Sequence, residues 1–132
     1  MTQSGFQFSN PIISKINYTL HPDFNNKTGD AISITNSFNT NIPPINKEDR
    51  NAVVELSISV GSEDATKEPF HIELTIGAAF KWDKPYDDET IQNLLSINAP
   101  ALLLSYARPI ISAITNMSPY RAYNVPFYNF TE

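Results

Sequence analysis

Four stretches of the chain alternate apolar with polar residues at period two, the spacing of a strand with one covered face. In the first, Ile16, Tyr18 and Leu20 alternate with Lys15, Asn17 and Thr19. In the second, Ile32, Ile34 and Phe38 alternate with Ser33, Thr35 and Ser37. The third sets Val54, Leu56, Ile58 and Val60 against Val53, Glu55, Ser57 and Ser59. The fourth sets Phe70, Ile72, Leu74, Ile76, Ala78 and Phe80 against His71, Glu73 and Thr75. One apolar and one polar face per strand predicts an antiparallel sheet covered on a single side. Asn25 to Asp30 reads as a crossover turn in which Gly29 is free to take positive φ. Pro43-Pro44 makes Asn39 to Arg50 a loop, and Gly61 to Pro69 joins the last two strands as a long hairpin. Gly77, inside the fourth strand, predicts a bulge or a close backbone approach.

Beyond Trp82 the period becomes helical. Asp87, Asp88 and Glu89 place negative charge at a helix start, followed by Ile91, Leu94, Leu95 and Ile97. Asn98 reads as the cap of a second, longer helix with Pro100 in its first turn. Leu103, Ala107, Ile110, Ile111 and Ile114 form its apolar stripe, widened by Leu102 and Leu104, and Pro109 predicts a kink. The expected fold is α+β: a four-stranded antiparallel sheet followed by a short and a long helix packed on one face. All of it fits in a single domain over residues 1–132. One long helix covers only one sheet face, so the apolar residues left over point to oligomerisation.

Composition narrows the function. Only 17% of residues are charged against 41% hydrophobic, as if other subunits covered part of the surface. A net charge of -5 with scattered Lys and Arg argues against nucleic acid. No cysteine is present, which excludes disulfides and thiolate metal sites and fits a reducing compartment. The N-terminus lacks a basic region ahead of an apolar core, and no apolar run is long enough to cross a bilayer. A cytoplasmic protein without membrane insertion is expected.

Catalytic chemistry is hard to assemble. His21 and His71 fall on different strands without ligand spacing, so neither a metal nor another cofactor is expected. Four glycines are too few for a phosphate loop, and no nucleophile elbow occurs. Asp83, Asp87, Asp88 and Glu89 read as complements to a helix dipole. Arg108, alone in an apolar helical region, reads as a packing residue that pairs with a carboxylate or a carbonyl. Tyr106 reads as a hydroxyl-bearing ring at the edge of the core. The chain is not expected to be an enzyme.

The string Asn98-Ala99-Pro100-Ala101-Leu102-Leu103-Leu104-Ser105-Tyr106-Ala107-Arg108 resembles the long helix of the SecB protein-export chaperones. Tyr123-Asn124-Val125-Pro126-Phe127-Tyr128-Asn129-Phe130 is similar to the family's ending, and Ala52 to Val60 and Phe70 to Phe80 fit its last two strands. Leu104-Ser105 departs from the family's usual Phe-Pro. The resemblance implies a homotetramer, a dimer of dimers, that holds unfolded client proteins in apolar grooves without nucleotide, for export or for a dedicated client. It implies client contact by Phe24, Ile32, Ile34, Phe38, Leu102 and Tyr106, and a subunit interface at Phe70, Ile72, Leu74 and Ile76. His71 and Glu73 match positions that face the SecA motor in the family. Its SecA-docking tail has no counterpart before Glu132, so contact with SecA through a tail is not expected. Related chaperones serve antitoxins of toxin–antitoxin systems, which makes an antitoxin a candidate client. A module of this ancestry that binds one folded partner is the alternative.

Overall fold

The computed structural model describes residues 1–25 and 32–131. Five strands form one antiparallel sheet: β1 (Phe6–Phe8), β2 (Ile12–Leu20), β3 (Asn36–Asn41), β4 (Asn51–Gly61) and β5 (Phe70–Trp82). Helices α1 (Asp88–Asn93) and α2 (Ala99–Asn116) follow. β5 is central, with β4 along one side and β1 and β2 sharing the other, while β3 closes the far edge beside β4.

The α+β order holds, but the strand count is five rather than four. β1 is three residues long, too short for alternation to reveal. Its Phe6 and Phe8 pair with Trp82 and Phe80, and Phe6 stacks on Phe80 with ring centres 5.4 Å apart. Pro11, which has no N–H for a ladder, falls between β1 and β2, so the two occupy one row and the sheet is four rows wide. A bulge between Ile13 and Lys15 then shifts the register, so that Ile13, Ile16 and Tyr18 stand opposite Ile76, Leu74 and Ile72 on the same face.

The second expected strand is displaced. Ile32 and Ile34 precede β3, which runs from Asn36 to Asn41 and is held by its ladder to Val60 through Glu55. Its Asn-rich sequence has weak strand propensity, and pairing overrides that. The turn expected at Asn25 to Asp30, including the positive φ of Gly29, lies outside the described residues from position 26 onward. Gly77 marks a close approach: a Cβ there would stand 3.0 Å from the Glu55 side chain and 3.2 Å from the Val54 carbonyl. The glycine that needs positive φ is Gly61, at +84°, where a Cβ would fall 2.0 Å from the Phe70 carbonyl.

All even-numbered residues from Ala52 to Val60 and from Phe70 to Trp82 are buried, on the face that the helix covers. The helix answers with buried residues at every fourth position: Ile91, Leu95, Ala99, Leu103, Ala107, Ile111 and Thr115. An α-helix turns about 100° per residue, so a repeat of four drifts about 40° at each step. A π-helical turn at Leu94–Asn98 sets the stripe back by adding a residue to one turn. Asn98 has helical angles (φ -72°, ψ -42°) and makes no capping hydrogen bond, so the expected break there is absent and the rod runs unbroken from Asp88 to Asn116. Its start is capped by Asp87, whose Oδ1 accepts the Thr90 N–H at 2.7 Å. Hydrogen bonds from Thr90 hold the Asp87 carboxyl below the usual carboxylate range. By length and mean hydropathy, 1.3 over its best window, the rod could cross a bilayer, but its apolar stripe lies against the sheet. Pro109 sits on the exposed side, so the hydrogen bond it forfeits faces solvent.

Candidate functional site

At the end of the sheet where β5 begins, the chain leaves an apolar groove of about 350 Å³. One wall is Ile32 and Ile34, from the segment leading into β3. The floor is Pro69 and Phe70, and the other wall is Tyr120, Arg121, Ala122 and Tyr123 of the tail beyond α2. Phe24 meets the tail wall, its ring edge-on to Tyr120 with centres 6.2 Å apart.

Local hydrogen bonds fix both walls. Glu68, buried beside the floor, accepts the Thr35 N–H at 2.6 Å and so pins the segment that carries Ile34. His21, also buried, donates its backbone N–H to the Pro69 carbonyl at 2.8 Å and its ring N–H to the Ser62 carbonyl at 2.7 Å. On the tail side, the hydroxyl of fully buried Thr115 accepts the Tyr123 N–H at 2.7 Å. The Tyr123 hydroxyl accepts the Asn36 amide at 2.6 Å, which ties the tail to β3. Arg121 is the one charged residue among the lining, so the groove offers apolar contact with a single cation at its rim.

The six residues expected to contact clients separate. Ile32 and Ile34 line this groove, and Phe24 touches it through Tyr120. Phe38 does not reach it, because the chain's own Tyr128 and Phe130 cover it at ring-centre distances of 4.5 and 6.0 Å. Leu102 is half-buried against the core, and Tyr106 lies edge-on to Phe8 at 5.9 Å, at the β1 end of the sheet. Sequence reasoning missed Pro69 and the wall from Tyr120 to Tyr123. The signal for that wall is the aromatic run after Pro119.

Phe70, Ile72, Leu74 and Ile76 are 0–2% exposed in the single chain. Where the resemblance implies a subunit interface, these four residues pack in the single chain into its own core beneath the helix. Apolar surface also stays open on the edge strand β2, where Ile13, Ile16 and Tyr18 are 38%, 46% and 37% exposed on the helix-side face.

His71 and Glu73 stand together on the opposite, polar face, as alternation requires. The Glu73 carboxylate meets the Lys15 ammonium at 2.8 Å, and the hydrogen bond and charge of Lys15 hold its pKa below the usual range. The His71 ring lies 3.1 Å from the Ser59 hydroxyl. Arg108 plays the structural role expected of it, with a carbonyl as partner: its Nε donates to the carbonyl of buried Val125 at 2.6 Å, and its guanidinium lies over the Phe127 ring at 4.5 Å.

The family described as preprotein translocase subunit SecB matches residues 24–132. A protein-export protein SecB of Bartonella quintana (strain Toulouse) is 40% identical over 85 residues, which cover 64% of this chain and 52% of that protein. Its counterpart in Orientia tsutsugamushi (strain Boryong) is 29% identical over a stretch of the same length and the same coverage. The chain thus spans about half the length of the curated relatives it matches. Among solved structures, the Mycobacterium tuberculosis Rv1957 SecB-like chaperone, in complex with a ChAD peptide from the Rv1956 HigA1 antitoxin, superposes with a TM-score of 0.73. That match has 13% identity and covers 94% of this chain and 91% of the other. A Streptococcus agalactiae protein of unknown function shares the fold more loosely, with a TM-score of 0.52 at 10% identity and coverage of 96% and 100%.

Proposed function

The chain belongs to the SecB family, and from that premise we propose that it is a cytoplasmic, ATP-independent holdase that shields unfolded chains. The observation that carries this reading is the groove itself: Ile32, Ile34, Phe70 and Tyr120 line an open apolar channel on a protein with no assembled catalytic set among its described residues. An extended client would seat side chains there that are worth about 1.5–3 kcal/mol each when fully buried. A few partly buried anchors bind weakly, and grooves joined on one assembly turn weak contacts into avidity. Binding the unfolded state alone delays folding by mass action, without nucleotide.

The test is suppression of aggregation of a denatured client at stoichiometric chaperone. Ile34→Asp is expected to weaken capture about tenfold, since losing one half-buried anchor and adding a charge costs at least about 1.4 kcal/mol. Fluorescence anisotropy with a labelled unfolded peptide measures it. Unchanged affinity would remove this groove from the account, and no effect of the unmodified chain on several clients would end the holdase reading.

Assembly into a homotetramer belongs to the same proposal. Its first interface is the edge of β2, where unpaired backbone groups lie beside half-exposed Ile13, Ile16 and Tyr18. Ile16→Lys is expected to shift native mass spectra toward smaller species. An unaltered mass would place the contact elsewhere.

The likeness to a chaperone bound to an antitoxin peptide favours a second reading, a dedicated antitoxin client. A neighbouring antitoxin's peptide competing at the groove far better than generic unfolded chains supports it, and equal competition refutes it.

A further inference from the structure

We propose that Glu63, His71 and Glu73 form a divalent transition-metal site on the outer, polar face of the sheet. One ligand atom from each of the three lies within 4.8 Å of the others. His71 and Glu73 are alternate residues of β5 and share the face turned away from α2, while Glu63 arrives from the hairpin after Gly61. Together they line an open pocket of about 290 Å³. Spacing along the sequence could not reveal this set, because Glu63 lies in a turn and meets β5 only when the hairpin closes.

The donor chemistry selects the ion. One imidazole nitrogen with two carboxylates is a mixed nitrogen and oxygen set that suits zinc, and it offers too few oxygens for calcium. On zinc such donors sit at about 2.0–2.2 Å, so that neighbours stand roughly 3.3 Å apart. Exposed Glu63, on a loop, can close that remaining gap by side-chain rotation.

The surroundings leave one atom free on each of the two strand ligands. His71 Nε2 is 3.1 Å from Ser59 Oγ. When the ring donates Nε2–H to that hydroxyl, Nδ1 carries the lone pair a metal needs, the outer-shell arrangement usual for a ligating histidine. Glu73 engages Lys15 through Oε2 at 2.8 Å, which leaves its other oxygen. Lys15 is therefore a competitor of the metal, on a half-exposed side chain able to swing aside. Occupancy would tie the hairpin turn to the sheet, and that hairpin ends at Pro69, on the floor of the groove.

The experiment titrates zinc into the chelator-stripped full chain in competition with a chromophoric chelator, with cobalt absorption as a second readout. About one equivalent per chain is expected, with affinity reduced at least about tenfold in His71→Ala and in Glu63→Gln. Lys15→Ala, which frees the Glu73 carboxylate of its competitor, is expected to bind more tightly. All three positions are on the surface, and circular dichroism verifies that the variants fold. No saturable binding, or affinity unmoved by His71→Ala, would overturn the site, and unchanged affinity in Lys15→Ala would remove Glu73 from it.

Discussion

Phe80→Ala is expected to lower the unfolding free energy by about 3–5 kcal/mol, the range for deleting a buried phenylalanine. The ring is 1% exposed and has two sets of contacts on the helix-side face of the sheet. It belongs to the core that the helix covers, and beside it on the same face Phe6 and Phe8 of the neighbouring strand approach it at 5.4 and 6.3 Å. β1 pairs with β5 over three residues, too few to hold a strand by backbone bonds alone. The variant should therefore lose protection at Phe6–Phe8 as well as global stability. Urea denaturation reads the loss of global stability and hydrogen exchange the loss of protection. If stability falls while Phe6–Phe8 stay protected, the rings are not what retains β1.

Leu103→Ala is expected to cost about 2–5 kcal/mol through the cavity it leaves. Leu103 is fully buried at the middle of the helical stripe, whereas its neighbour Leu102 is only partly buried. Leu102→Ala is accordingly the paired measurement and should cost clearly less. The comparison tests the phase of the helix directly: equal losses in thermal or urea unfolding would mean that the stripe is rotated from where the packing places it.

How far the sequence reveals this structure depends on how local each determinant is. β4 and β5 are legible because eleven- and thirteen-residue strands buried on one face must alternate. The helix start is legible because Asp87 caps by a contact within its own first turn. β1 is not legible, since three residues carry no period and its stability comes from rings distant in sequence. β3 is misplaced by sequence reasoning because Ile32 and Ile34 look more strand-like than Asn36–Asn41, and only the ladder with β4 decides between them. The break expected at Asn98 is absent because a residue suited to capping is equally compatible with a widened turn.

The candidate site divides along the same line. Ile32 and Ile34, identified by likeness, line the groove and Phe24 touches it through Tyr120, but likeness could not say that Phe38 is already covered by Tyr128 and Phe130. Alternation correctly places Phe70, Ile72, Leu74 and Ile76 on one face. It cannot say whether that face meets the chain's own helix or another subunit, and in the single chain all four lie buried beneath the helix.

The wide turn at Leu94–Asn98 bears on how this rod can change length during divergence. Removing one residue from that turn would restore ordinary winding but swing everything upstream by about 100°, carrying Ile91 off the sheet. Removing one from Ala99–Asn116 would instead throw half of the sealed stripe out of phase. Relatives that lack the widened turn must therefore anchor the rod's beginning with a different residue, so indels here should arrive together with a relocated apolar anchor near position 91.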